Sequence, residues 1–241
     1  CYNNGNGIVV GYSTNNTAAN CDINNNSGGI MISSSSTTTI SSCIVSNSSL
    51  FGIELWYSSH TTLSGNVIDS NKYNFGVRGW DVLDFYQYID TSNTINGKPI
   101  YYIIGQGNLI FDGSVNVGYI GLISCNNITV NNLDVHGILL ANSSSCLVSN
   151  CRTRDSFRGV QLCAYSTNNT VTNCSIYNNS VGVEVAFHSC NNQITNCTIY
   201  NVSDGIAFFY SSNNNIIINC TIYDSSTGVY FYSSSNNNMS N

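Results

Sequence analysis

Hydrophobic residues come along this chain in short alternating bursts, each opening on a glycine. "GIVV" starts at position 7, "GIMI" at 29, "GIEL" at 52, "GVRG" at 76, "GILL" at 137, "GVQL" at 159, "GVEV" at 182, "GIAF" at 205 and "GVYF" at 228. The spacing is 22–24 residues, apart from one gap in the middle. Further bursts inside each period, around Ile194 and Ile199 for example, are separated by turn-rich pieces such as "SSNNN" and "SDG". Two to five β-prone residues between turn residues predict short strands rather than helices. A fixed period of this length means a solenoid. Three short strands per period predict a single-stranded parallel β-helix whose coils hydrogen-bond one another at about 4.8 Å. About ten coils would make a body roughly 50 Å long. Ile176, Val183, Val185, Ile194, Ile199, Ile206 and Ile222 are expected to face inward.

Other residues fall into columns. Tyr12, Tyr57, Tyr165, His188 and Tyr210 each open a turn at one coil position, and Asn150, Asn173, Asn196 and Asn219 hold another. Stacked asparagines can bond along the axis and satisfy buried turn groups. This second column is therefore expected to lie inside, with its sequons at 173, 196 and 219 unglycosylated. The gap runs from Gly76 to Gly118 and contains "YQYIDTSNTINGKPIYYII". Asn96-Gly97 between two β-prone runs is a tight-turn signal. It predicts a β-hairpin inserted at about 80–117 into one domain spanning 1–241.

Composition narrows the class. Charged residues are only 7% while hydrophobic ones are 42%, so Asn, Ser and Thr carry the polarity and the chain is not of disordered type. A net charge of −6 with six basic residues offers nucleic acid no footprint. No apolar run of about 20 residues suggests a membrane span. The opening at Cys1, without a signal-peptide pattern, reads as a processed form or a fragment. Eleven cysteines without CxxC pairs point to an oxidising compartment. Sequons at Asn15, Asn25, Asn47, Asn127, Asn142, Asn168, Asn178, Asn201 and Asn238 agree with an extracellular, glycosylated surface.

The repeat G-[IV]-x-[LVF]…S-x-N-N-x-[IV]…N-x-x-I and the segment "IDTSNTINGKPIYYII…GYIGLISCNNITVNNLDV" resemble the NosD-like family of parallel β-helix repeat proteins. The longer segment is especially similar to surface proteins of methanogenic archaea. The resemblance implies a right-handed parallel β-helix and an extracellular location. It implies less about activity, since such repeats serve copper delivery, carbohydrate chemistry and surface structure alike.

Cys151, Cys174, Cys197 and Cys220 share one coil position, as do Cys21 and Cys43 in the first half, with Asn66 and Leu133 between. Stacked Cα atoms about 4.8 Å apart fall inside disulfide range, so these six residues are candidate staples between coils. A column of free buried thiols is the competing reading. Cys1, Cys125, Cys146, Cys163 and Cys190 lie off the column, and Cys1, Cys163 and Cys190 are candidates for linking one chain to another.

Catalysis finds little support. Glu184 and Asp204 would stand about 11 Å apart by strand geometry, too wide for a retaining glycosidase and marginal for an inverting one. Glu54 and Asp69 read as isolated, and "CRTRDSFRG" reads as a solvated turn. His60, His136 and His188 are scattered and fit turn positions better than a metal site. No catalytic residue, metal ligand or cofactor is assigned. Tyr177, Tyr200 and Tyr223 follow inward isoleucines, so alternation sends them outward as an aromatic strip. The expectation is a self-associating structural component of a cell envelope, a sheath, surface layer or filament. The alternative is a β-helix that binds or cleaves carbohydrate.

Overall fold

The computed structural model describes residues 1–241. It is an all-β right-handed parallel β-helix of about ten turns, with one short 3-10 turn at Val82–Phe85. In the first stack of coils, strands Asn6–Gly11, Gly28–Ser33, Phe51–Trp56 and Tyr73–Arg78 pair in parallel, aligning Ile8, Ile30, Ile53 and Phe75. In the second stack, Lys98–Ile104, Tyr119–Ile123, Ile138–Ala141, Arg158–Cys163, Val181–Ala186, Thr198–Phe209 and Thr221–Tyr232 do the same. The expected inward residues are buried, with Ile222 in the last coil half-buried.

The hairpin at Asn96-Gly97 is present, but it is a junction rather than an excursion. Both turn residues are left-handed, at φ 47° and 76°, the pair a two-residue type I′ turn requires. Thr94 and Ile95 face Pro99 and Lys98 antiparallel. Yet Thr94 also continues the first stack beside Val67, and Ile100 starts the second beside Tyr119. Each hairpin strand is thus a coil strand, and the chain reverses direction between the stacks.

The reversal lays the second stack across the end of the first. In its strands Ile120, Leu122, Ile138, Leu140, Val160 and Leu162 point into its own core. The alternate residues Tyr119, Ile123, Leu139, Ala141, Cys163 and Ala186 belong instead to the core of the first stack, with Phe75, Val77, Phe85 and Ile95 of its last coil. A parallel sheet covered on both faces needs continuous apolar runs, and "YIGLI" and "GILLA" are such runs. The seam is fixed by edge-to-face packing of Phe75 on Tyr119, by the Tyr102 hydroxyl donating to Phe85 O at 2.6 Å, and by the Asn74 N–H donating to Asp155 O at 3.2 Å.

Two columns differ from the sequence reading. Asn150, Asn173, Asn196 and Asn219 are exposed, with φ of 52–54°, because each occupies a left-handed turn that directs its side chain to solvent. The buried ladder is made by the second Asn of "NN": the Asn169, Asn192 and Asn215 N–H groups donate to the amide oxygens of Asn192, Asn215 and Asn237 at 2.8–3.0 Å. The tyrosine column splits as well. Tyr12, Tyr57 and Tyr210 are the fifth residue after their glycines, and Tyr165 and His188 the sixth. Phe187 fills the fifth place and stacks on Tyr210 at 4.9 Å.

Candidate functional site

Where the rim of the first stack meets the outward face of the second, a cleft of about 220 Å³ opens. The first stack supplies Trp56, Tyr57, Arg78, Gly79 and Trp80, at and just beyond the ends of Phe51–Trp56 and Tyr73–Arg78. The second supplies Arg158, Gln161, Glu184, Ala186, Phe187, Phe209 and Tyr210. Parity explains the second set. Val160, Leu162, Val183 and Val185 take the inward places, leaving Gln161 and Glu184 on the outer face in direct register.

The floor holds two ion pairs. Arg78 Nε lies 2.6 Å from Glu54 Oε1, and Arg158 Nε lies 2.6 Å from Glu184 Oε1. Gln161 Nε2 donates to that same Glu184 oxygen at 3.1 Å. Both carboxylates are about 95% buried at the side chain. Contact is close in each pair but the N–H bonds are poorly directed, and Arg78 Nε and Nη2 have no well-aligned acceptor in the protein. The Phe157 ring supports both cations, with its centroid 3.5 Å from the Arg78 guanidinium carbon and 5.4 Å from that of Arg158. Burial, reinforced by neighbouring Arg158, pushes Arg78 down to about 10, so it remains a cation at neutral pH.

The rim is aromatic. Tyr57 lies 4.7 Å from Trp80, which remains 61% exposed. The Trp80 N–H donates to Asp84 Oδ2 at 2.9 Å, and a capping box between Asp81 and Asp84 fixes the turn that follows. Beyond Trp80 a second hollow of about 460 Å³ is lined by Trp80, Tyr165, Phe187, His188 and Tyr210. There Tyr165 stacks on His188 at 5.1 Å. The chain's only two tryptophans, its only two glutamates and two of its four arginines meet in this region.

Most residues singled out from sequence lie elsewhere. Glu184 is in the cleft, but Asp204 is not its partner: Asp204 pairs with Val181 and shares the parity of inward Ile206, while Glu184 is opposite Ala207. Glu54 is not isolated, being paired with Arg78. "CRTRDSFRG" divides, with Arg152 exposed, Arg154 beside Asp134 and Asp155, and Arg158 on the cleft floor. No group of three or more His, Cys, Asp or Glu is arranged to hold a metal.

All eleven thiols are free, so the expected staples among Cys21, Cys43, Cys151, Cys174, Cys197 and Cys220 are not formed. Each column sulfur hydrogen-bonds a carbonyl two residues earlier, at 3.2 Å for Cys151 and Cys174 and 3.3 Å for Cys197. The column thiols lie side by side in the core, where Cys174 is in side-chain contact with both Cys151 and Cys197 but bonded covalently to neither. Cys163, expected to link chains, is fully buried at the seam, where burial pushes its thiol well up. Cys1 is exposed and Cys190 half-buried. The nine asparagines expected to carry glycan are all exposed, and every one except Asn238 sits in a left-handed turn. Tyr177, Tyr200 and Tyr223 stack at 5.0 and 5.1 Å, nearly parallel, on the outer surface.

The cleft itself was missed because its walls come from distant coils. One signal was available: Glu54 and Glu184 each stand two residues after the coil glycine, as does Gln161.

A family profile described as "right handed beta helix region" matches residues 1–87 and 110–241. No curated protein matches the chain. Among solved structures, the A-module of the Azotobacter vinelandii mannuronan C-5 epimerase AlgE4 is similar at 15% identity and a TM-score of 0.36, over 90% of this chain and 62% of that one. ORF18 of Geobacillus virus E2 is similar at 16% identity and 0.35, over 92% and 43%. The Streptococcus pneumoniae surface protein and adhesin PfbA is similar at 11% and 0.24, over 89% and 69%. The chain thus spans less than two thirds of the length of the first two.

Proposed function

Because the chain belongs to the right-handed β-helix family, whose fold leaves function to the side chains displayed on it, we propose that it is a carbohydrate-binding surface module with its ligand in the seam cleft. One observation carries this reading: the chain's scarcest large and charged side chains converge there, tryptophans on the rim and ion pairs on the floor. A flat indole matches the C–H face of a sugar ring, while fixed charged groups hydrogen-bond its hydroxyls. Binding is favoured over cleavage because each buried carboxylate is engaged by an arginine and Asp204 stands on the other face. An extracellular setting is supported by the exposed sequons and the scarcity of charge.

Both indoles lie in the cleft, so intrinsic tryptophan emission reports this site alone. Titration with neutral and acidic oligosaccharides should shift and saturate it for at least one glycan class. Flat emission across the panel would defeat the proposal. A second reading, an envelope polymer linked through thiols, is favoured by the accessibility of Cys1 and Cys190. Sedimentation with and without reductant separates the two: reductant-sensitive polymers favour the second, monomers the first.

A further inference from the structure

We infer that the cleft consists of two adjoining sugar subsites divided by Trp80, and that the deep one selects an uncharged hexose of a neutral oligosaccharide. This rests on the carbohydrate-binding reading above. Trp80 lines both hollows, together with Phe187 and Tyr210. Its position is built in. The Trp80 backbone N–H donates to the Asp84 carboxylate, and a Cβ on Gly79 would meet the Asp84 Cβ at 2.1 Å, so only glycine lets the chain pass there.

The two hollows differ in chemistry. The deep one ends on Arg78, Arg158, Gln161 and Glu184, where two guanidinium groups are balanced by Glu54 and Glu184. Arg78 and Arg158 line it with 15% and 17% of their side chains exposed, so they present polar groups to hydroxyls without offering net positive charge. A carboxylate entering this compensated floor would bring an unmatched charge into a desolvated place, against a chain of net charge −6. A neutral ring with several hydroxyls incurs neither cost. The outer hollow presents two stacked pairs, Tyr165 on His188 and Phe187 on Tyr210, and no carboxylate or guanidinium. It adds contact area with little selectivity, so discrimination resides in the deep subsite and length preference in the outer one.

The test uses the whole chain and tryptophan emission, titrated with glucose, mannose and galactose, their β-linked di- and trisaccharides, and digalacturonate. The best neutral disaccharide should bind at least tenfold tighter than its monosaccharide, with little added by a third ring. Digalacturonate should bind at least tenfold more weakly than that disaccharide. Tyr165→Gly, which suits the left-handed φ of 69° at this residue, should abolish the disaccharide advantage and leave monosaccharide binding unchanged. In Trp80→Phe the remaining indole, Trp56, lines the deep hollow alone and should still respond to the monosaccharide. Equal affinity for mono- and disaccharide, an equal effect of Tyr165→Gly on both, or tighter binding of digalacturonate would overturn the subsite inference while leaving carbohydrate binding intact. No response to any sugar would remove both.

Discussion

Glu54 and Glu184 hold the same place in their coils, two residues after Gly52 and Gly182, yet they belong to different stacks and serve one cleft. Their arginine partners share one aromatic contact, Phe157. Neither pair would be buried in a straight solenoid, whose outer faces meet water. The reversal at Asn96-Gly97 therefore creates the low-dielectric floor on which the proposed binding depends.

Removing one charge from that floor should be costly. Glu184→Gln leaves Arg158 buried and without its countercharge, and about 3 kcal/mol of stability should be lost. The double variant Glu184→Met with Arg158→Met should recover most of it, since an apolar pair leaves no charge stranded. Urea midpoints of the three proteins check the ordering. A single variant as stable as the parent would mean that the pair is far more hydrated than its burial implies.

The asparagine ladder makes a second contrast. Asn192→Ala deprives the Asn169 backbone and side chain of their acceptor and should cost about 2–4 kcal/mol, because buried donors are left unpaired. Asn196→Gly, four residues on, changes an exposed left-handed turn residue into one that adopts it freely. It should alter the melting temperature very little. The reverse ranking would restore the column first expected from sequence.

His136 gives the seam a pH dependence. It is 3% exposed, with Asn74 Nδ2 3.5 Å from Nδ1 and Asn96 Nδ2 3.1 Å from Nε2. Burial, aided by Arg154 and Lys98 and opposed by Asp155 and Asp134, lowers its pKa below the ordinary 6.5. The folded protein thus favours the neutral ring. Its contribution is complete above the unfolded value and is lost as pH falls from about 6.5 through the folded value. A loss of stability between about pH 7.5 and 5 is therefore expected, and His136→Gln should flatten that slope in denaturant titrations.

Thiol accessibility follows the fold. Cys1 should be alkylated in the native protein, whereas Cys151, Cys174 and Cys197 should react only after unfolding. Burial also raises the pKa of Cys125 and Cys146, which slows their reaction in the native protein. Peptide mapping of protein purified without reductant reads this directly. A cross-linked peptide joining two column cysteines would show that the coils are stapled after all.

The coil period was legible because each inward position recurs at a spacing set by one turn of the solenoid, as with Ile176 and Ile199. The Asn96-Gly97 turn was legible from two residues alone. Its consequence was not, since a hairpin can project from a stack or reverse it, and only packing of Tyr119 on Phe75 decides. Leu139 and Cys163 hinted at the second covered face, but an apolar outward residue in one sequence does not name what covers it. The cleft was illegible for the same reason. Trp56 and Arg78 adjoin in coil register, whereas Phe157 and Glu184 reach them only through tertiary contact.

Laying one stack across the end of the other also imposes an order on synthesis. A ribosome that has released residues 1–97 has released a row of coils whose last members, Phe75, Val77, Phe85 and Ile95, still face water. The surface that covers them is encoded downstream, at Tyr119, Leu139 and Cys163. Until those residues emerge and coil, the unfinished edge is open to any passing strand, including the same edge of a chain on the next ribosome.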